Sequence, residues 1–274
     1  MTSLSEHRER PHWSYSSLNQ LLNLCSLQWF FDKVERRPRP FTPISLAMGS
    51  AYHRVMEFIA SQRMAGTLPS EAETRALFHE VWERNGKVGP PLEKDDEQTP
   101  EDCANQGAEL AVAYLKQLDP QERVIAVNEV FAVSVGCSDR PLIGEIDCVV
   151  EDAGGKALLD WKTSARRWPK DQADKSLQPT VYLYAHHQLN PSEAMGFRFD
   201  VAVKNKTPVV ERNYTTRNPD DFRRLECLVD RAERVIASET FYPSDQSFSC
   251  SGCVHREPCR AWHRNQSRVI SLAA

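Results

Sequence analysis

The chain has 274 residues, 41% hydrophobic and 9% aromatic, enough to bury a core as one elaborated domain or two small ones. No apolar stretch reaches the roughly 18 to 20 residues of a membrane span, and the N-terminal MTSLSEHRER lacks the apolar centre of a secretion signal; this argues against a membrane protein and for a soluble, cytoplasmic one. A formal net charge of −4 excludes whole-molecule attraction to a polyanion, so nucleic-acid binding would rest on local basic clusters: Arg36, Arg37 and Arg39; Arg166, Arg167 and Lys170; or the tail from Arg256 to Arg268.

Leu18, Leu21, Leu22, Cys25 and Trp29 recur at helical spacing behind Ser14, Ser16 and Ser17, predicting one helix over residues 16–34. The prolines of RRPRPFTP stop it, because each lacks an amide donor and clashes with the preceding turn. A second helix is expected from near Ser50, with Tyr52, Val55, Met56 and Ile59 on its apolar side. Residues 71–84 and 101–118 read as helices around the polar loop GKVGPPLEKDDEQTPED.

The pattern then changes. Residues 124–135, 142–150 and 156–161 are β-branched or alternating runs bounded by the turns CSDRP and DAGG, predicting three consecutive antiparallel strands. A helix over 177–189, strands over 197–203 and 208–214, and a helix over 220–238 complete the order helices, βββ, α, ββ, α, with no internal repeat.

Period-2 alternation puts Glu145 and Asp147 on one face of their strand, about 7 Å apart. In the next strand it pairs Asp160 with Lys162, and a turn over 152–155 would bring Asp147 and Asp160 together. Convergent carboxylates in an apolar sheet repel unless a divalent cation lies between them, and hard oxygen donors suit Mg²⁺ or Mn²⁺. Such an ion polarises a phosphodiester, and the Lys162 ammonium is suited to orienting a water or balancing charge in the transition state. The plainer reading is that these are solvated charges at strand ends. Glu129 is a further acid nearby, with a structural role expected for it and for Glu145.

Of eight cysteines, Cys250, Cys253 and Cys259 crowd together, a spacing that grips metal rather than forming disulfides in a reducing cell. A four-ligand zinc or iron–sulfur site needs one more donor, and Cys25, His255 and His263 are the candidates. Cys103, Cys137, Cys148 and Cys227 read as packing, as do Trp29, Phe30 and Phe31.

Gly144-Glu145-Ile146-Asp147 followed by Asp160-Trp161-Lys162-Thr163 resembles the active-site signature of PD-(D/E)xK nucleases. More narrowly it is similar to the RecB-like branch, which includes CRISPR-associated iron–sulfur exonucleases and the helicase–nuclease subunits of recombination. The branch's G-x-x-x-H pattern is matched by Gly49 to His53, its Q-x-x-x-Y motif by Gln178 and Tyr182, and its opening helix by Ser14 to Leu18 leading to Cys25. Two departures are Pro179 directly after Gln178, a context that resists helical dihedrals, and Ser26 after Cys25 where the branch commonly has proline.

The resemblance implies an α/β fold: a restriction-endonuclease-like mixed sheet core flanked by helices, with an N-terminal helical cap and a Cys-rich C-terminal cluster region. It implies one domain, with cap and first cluster cysteine in 1–120, nuclease core in 121–240, and cluster loop and tail in 241–274. It makes Asp147, Asp160, His53 and the Trp161 carbonyl ligands of Mg²⁺ or Mn²⁺, and Asp147, Asp160, Lys162, Gln178 and Tyr182 catalytic. Cys25, Cys250, Cys253 and Cys259 would carry a [4Fe-4S] cluster, with zinc as the alternative. The implied activity is a metal-dependent DNA exonuclease of repair, recombination or defence. Its substrate would be single-stranded DNA or DNA ends, with a helicase, CRISPR or repair protein as partner. No Walker A motif is present, so unwinding would come from another chain. Competing expectations are a non-catalytic DNA-binding or scaffold module of the same fold and a zinc-stabilised binding protein of another.

Overall fold

A computed structural model describes residues 3–93, 99–245, 250 and 252–266. Five strands, β1 (Arg123–Val133), β2 (Leu142–Asp152), β3 (Gly155–Ser164), β4 (Gly196–Val203) and β5 (Val209–Thr215), form one mixed sheet in chain order. β1, β2 and β3 make an antiparallel meander whose second turn pairs Asp152 with Gly155, as the sequence predicts. β3 and β4 run parallel, and the crossover this demands is supplied by α7 (Gln172–Lys175) and α8 (Leu177–Leu189). β5 returns antiparallel to β4.

Helices cover both faces, as an α/β core of this kind requires. On one face lie α4 (Ile44–Met64), α5 (Glu71–Gly86) and α6 (Pro100–Lys116), which bury Met48, Tyr52, Val55, Phe78 and Leu110 against Cys148, Val150, Leu159 and Trp161. On the other, α2 (Tyr15–Asn19), α3 (Ser26–Lys33), α8 and α9 (Pro219–Ala237) bury Leu18, Trp29, Val181 and Leu225 against Phe131, Ile146, Leu158 and Phe197. Each large apolar side chain so buried stabilises the fold by about 1.5–3 kcal/mol. Ser70, Thr99 and Asn218 start α5, α6 and α9 with reciprocal capping boxes. Trp29 and Phe31 are buried, in agreement with their packing role.

The first long helix departs from expectation. It is split into α2, a π-helical turn over Gln20–Leu24, and α3, with Cys25 extended (φ −164°, ψ 113°) at the break. The apolar spacing runs through the break, so periodicity alone does not reveal it. Behind Cys25, Ser26 Oγ donates to the Tyr242 carbonyl and accepts from its amide, both at 2.9 Å, and Leu27 N–H meets the same carbonyl at 3.1 Å. α4 begins at Ile44, ahead of the expected Ser50; α1 (Leu4–Arg8) and α10 (Arg256–Gln266) were not anticipated. Among the expected packing cysteines, Cys103 and Cys148 are buried, whereas Cys137 and Cys227 are exposed and do not serve that role.

β1 and β2 exchange faces midway. Val127 and Cys148 meet the α4–α6 core, yet Phe131 and Ile146 meet the opposite one. Between the couples Val127–Cys148 and Glu129–Ile146 lies Asn128, in left-handed backbone (φ 57°), level with Asp147. Gly144 sits against the Phe131 ring, which occupies the space any β-carbon would need.

Candidate active site

β3 outruns its partner. Its pairing with β2 ends at Leu159–Cys148, while its pairing with β4 continues to Ser164–Val203. Past Leu159, the β2-facing edge of β3 is therefore open, and Asp160, Trp161 and Lys162 occupy it. The Trp161 amide is taken by a side chain instead of a ladder partner: it donates to Asp147 Oδ2 at 3.2 Å. The structure thus engages Trp161 with Asp147 through its amide. The Trp161 ring is buried, with Nε1 donating to Tyr114 Oη at 2.9 Å.

Asp160 is 2% exposed and held from two sides, its Oδ2 ion-paired with Lys162 Nζ and its Oδ1 accepting from Gln178 Nε2. Burial raises the Asp160 pKa; the Lys162 ammonium opposes the rise and the Asp147 charge reinforces it. Burial works against the charge of Lys162 too, but Asp160 and Asp147 outweigh it and keep Lys162 an ammonium.

His53 reaches the site from α4, its Nδ1 3.1 Å from Asp147 Oδ2. Desolvation disfavours the imidazolium, but the hydrogen bond and charge of Asp147, followed by the charge of Asp160, lift its pKa above the ordinary histidine range. Glu145 lies nearby, its pKa raised by burial, then by Glu57 and Asp147. This agrees with its expected placement beside Asp147. Glu129 is exposed on β1.

α8 delivers the last two predicted residues. Ser176 caps it, accepting from Gln178 N–H, and Pro179 falls in the first turn, where proline is tolerated. Gln178 is consequently helical despite the proline after it. Tyr182, one turn on, lies edge-on to Phe131 and Phe197 at centroid distances of 5.5 and 6.0 Å. Burial, then the charges of Asp160 and Asp147, hold its phenol well above the usual range, so it remains a proton donor.

One neighbour had no assigned role from sequence. Tyr15 of α2 lies within electrostatic reach of Lys162 and Asp160, and burial raises its pKa. No local pattern marks it, since its partner residues lie about 150 positions away.

The structure therefore brings His53, Asp147, Asp160, Lys162, Gln178 and Tyr182 to one sheet end. Two carboxylates and an imidazole are the donor chemistry of a hard divalent cation. Among the described residues no three His, Cys, Asp or Glu side chains, at this sheet end or among the cysteines, are arranged to hold a metal ion.

None of the eight cysteines is joined in a disulfide. Cys25 Sγ accepts from Gln28 N–H at 3.4 Å, and Cys250 Sγ donates to the Ser244 carbonyl at 3.1 Å. Burial first, then Cys25 and Cys250 among nearby charges, raise the Cys253 thiol; burial, then Cys25, raise Cys259. The four cysteines thus lie within electrostatic reach of one another, without being gathered as ligands of one ion. His255 is buried beside them, with Nε2 2.9 Å from Asp32 Oδ1. The His263 side chain lies outside the described residues.

Comparison with known proteins bears on this geometry. The profile of the PD-(D/E)XK nuclease superfamily matches residues 12–260. The chain belongs to that superfamily. The match takes in all the site residues above, and Asp160-Trp161-Lys162 has the D-x-K spelling of the superfamily's name. A crystal structure from Eubacterium rectale, of a protein provisionally named an exonuclease, superposes with a TM-score of 0.58 over 92% of each chain at 14% identity, a likeness of fold. The structure of a protein designated SSO0001 is more distant, with a TM-score of 0.36 and 10% identity over 88% of this chain and 91% of that one. No curated protein matches. No helix among the described residues is long and apolar enough to cross a membrane.

Proposed function

We propose that this PD-(D/E)XK nuclease is a divalent-metal-dependent deoxyribonuclease of the RecB-like branch, an exonuclease acting on single-stranded DNA or DNA ends in repair, recombination or defence. The observation that carries the reading is the open edge of β3, where Asp147 and Asp160 stand with Lys162 between a histidine helix and a glutamine helix. Asp147, Asp160 and His53, with the Trp161 carbonyl, would hold Mg²⁺ or Mn²⁺. That cation would polarise the phosphodiester and offset its charge.

The chain's own residues account for the remaining requirements. Hydrolysis joins a water oxygen to phosphorus and breaks one phosphorus–ester bond, the departing oxygen leaving with a proton. Lys162, kept as an ammonium, orients the water and balances charge gathering on the phosphoryl oxygens. Gln178 fixes the rotamer of Asp160, and Tyr182 keeps its proton for the substrate phosphate. Binding a cation requires Lys162 and His53 to release the carboxylates they now engage.

We read the chain as one nuclease domain, with residues 1–120 as cap and 241–274 as cluster loop and tail. Cys25, Cys250, Cys253 and Cys259 would carry a [4Fe-4S] cluster that staples the first helices to the C-terminal segment. The shared neighbourhood of these thiols supports it, and their sulfur chemistry suits iron or zinc.

The deciding experiment is cleavage of end-labelled single-stranded DNA by anaerobically purified protein with Mg²⁺, Mn²⁺ or EDTA, alongside iron and zinc analysis. Metal-dependent shortening with about four irons per chain is the expected result. DNA binding without cleavage in any metal would overturn the nuclease reading in favour of a non-cleaving module, and zinc in place of iron would overturn the cluster.

A further inference from the structure

A second charged feature lies apart from the carboxylates. A cavity of about 370 Å³ opens between α1, the end of α3 and the β1–β2 hairpin, floored by buried Trp29. Arg8, Arg10, Lys33, Arg36 and Arg140 line it, with Glu9 as the carboxylate among its lining residues. In a chain of net charge −4, this is a local reversal of sign.

Most of these cations lack a close counter-charge. Many arginines elsewhere are neutralised, among them Arg39 by Asp32, Arg54 by Glu57, Arg123 by Glu151 and Arg167 by Glu211. Around the cavity, Arg140 has Glu233 at 3.7 Å, but no carboxylate among the described residues comes within 4.0 Å of Arg8, Arg10, Lys33 or Arg36. Cations gathered without counter-charges repel one another, and a polyanion relieves that repulsion while releasing its own condensed counterions.

The cavity also connects to the candidate site. α1, which ends at Arg8, packs on β1 and on β2, the strand that carries Asp147. A strand seated over the cavity would therefore pass Arg8 on its way to the open edge of β3.

We propose that this cavity is a phosphate-binding subsite that holds the backbone of the DNA strand, separate from the residues that would cleave it. The proposal rests on the nuclease reading for the identity of the polyanion. Its occupant is a run of phosphodiesters, read by charge and without base contacts.

The test uses the full-length chain carrying Asp160→Asn in EDTA, so that binding is read without cleavage. Anisotropy of a fluorescent single-stranded oligonucleotide is followed across chloride concentrations, with and without Arg10→Glu, Lys33→Glu and Arg36→Glu combined. Each lost phosphate contact should flatten the salt dependence by about 0.7 in slope, so the triple variant should lose about two units and bind more than about tenfold more weakly at low salt. Reversing Arg223, Arg224 and Arg231 on the outer side of α9 serves as the charge-matched control and should leave the slope near that of the parent. Equal losses in both triples, or none in the cavity triple, would overturn the subsite. Displacement of the oligonucleotide by inorganic phosphate beyond chloride at equal ionic strength would reassign it to free phosphate. With Asp160 restored, hydrolysis of bis(p-nitrophenyl) phosphate should be equal in the cavity triple and wild type. Absence of that hydrolysis in both indicts the nuclease reading and leaves the binding result standing.

Discussion

Asn128 and Asp147 lie level with each other across β1 and β2, and the left-handed backbone of Asn128 marks the point where both strands exchange faces. The exchange lets Ile146 enter one core and Cys148 the other, while Asp147 turns toward His53 and the Trp161 amide. Asparagine tolerates this conformation far better than a β-branched residue does.

Asn128→Val should accordingly cost about 1–3 kcal/mol of stability and reduce cleavage more than about tenfold, whereas Asn128→Gly should retain both. Denaturant midpoints and initial cleavage rates measured side by side decide it. A valine variant as active as wild type would show that Asp147 is positioned without Asn128.

Gln178 ties α8 to Asp160 by a hydrogen bond, and its carboxamide is buried with that carboxylate. Gln178→Glu would set a second carboxylate against Asp160, so we expect cleavage to fall by at least about a hundredfold through misplacement of the acid, more than for Gln178→Asn. The readout is kcat and KM for an oligonucleotide: the loss belongs in kcat. A loss confined to KM would assign Gln178 to substrate binding instead.

On β4, Arg198 is fully buried, ion-paired with Glu122 and, at 2.8 Å, with Asp200; Arg63 meets Glu122 at 3.1 Å. Burial opposes the charge of Arg198, and Asp200 and Glu122 hold it protonated. Removing one member leaves an uncompensated buried charge, so Glu122→Ala should destabilise by about 3–5 kcal/mol. A urea transition shifted by much less, at unchanged slope, would mean that water or Asp200 takes over.

The pH dependence of stability follows from two histidines of opposite sign. Burial lowers the His186 pKa despite Glu193 nearby, so its contribution is complete above about pH 6.5 and is lost as pH falls through the depressed folded value. His53, raised by Asp147, contributes below that pH and loses its contribution as pH rises. The difference between wild type and His186→Gln isolates the first: wild type should lose more stability than the variant between about pH 7 and pH 5. Parallel stability curves would exclude His186 as the source.

The order of elements, the turn over 152–155, α8, and the convergence of Asp147, Asp160 and Lys162 were legible from alternation, because strand pairing carries local patterns directly into space, whereas His53 and Gln178, on helices, were placed beside them only by the family resemblance. Three features were not legible. The break at Cys25 is hidden because Leu18, Leu21, Leu22 and Trp29 keep helical spacing across it. The face exchange at Asn128 rests on one backbone angle inside an ordinary β-rich run. The basic cavity assembles Arg8, Lys33 and Arg140 from separate segments, so only Arg36 stood out in sequence, and as part of another cluster.

Ser26 and Leu27 are held by Tyr242, with 216 positions between Ser26 and its partner. Protein synthesis proceeds from the amino terminus, so α3 emerges long before the backbone groups that complete it exist. Until Phe241 and Tyr242 leave the ribosome, Trp29 and Phe30 lack the Phe241 ring that packs on them and Leu27 lacks its carbonyl partner, so the nascent chain carries an apolar surface that chaperones are suited to shield. Truncation ahead of Tyr242 would therefore leave the first helices unfinished, a defect distant in sequence from the cut.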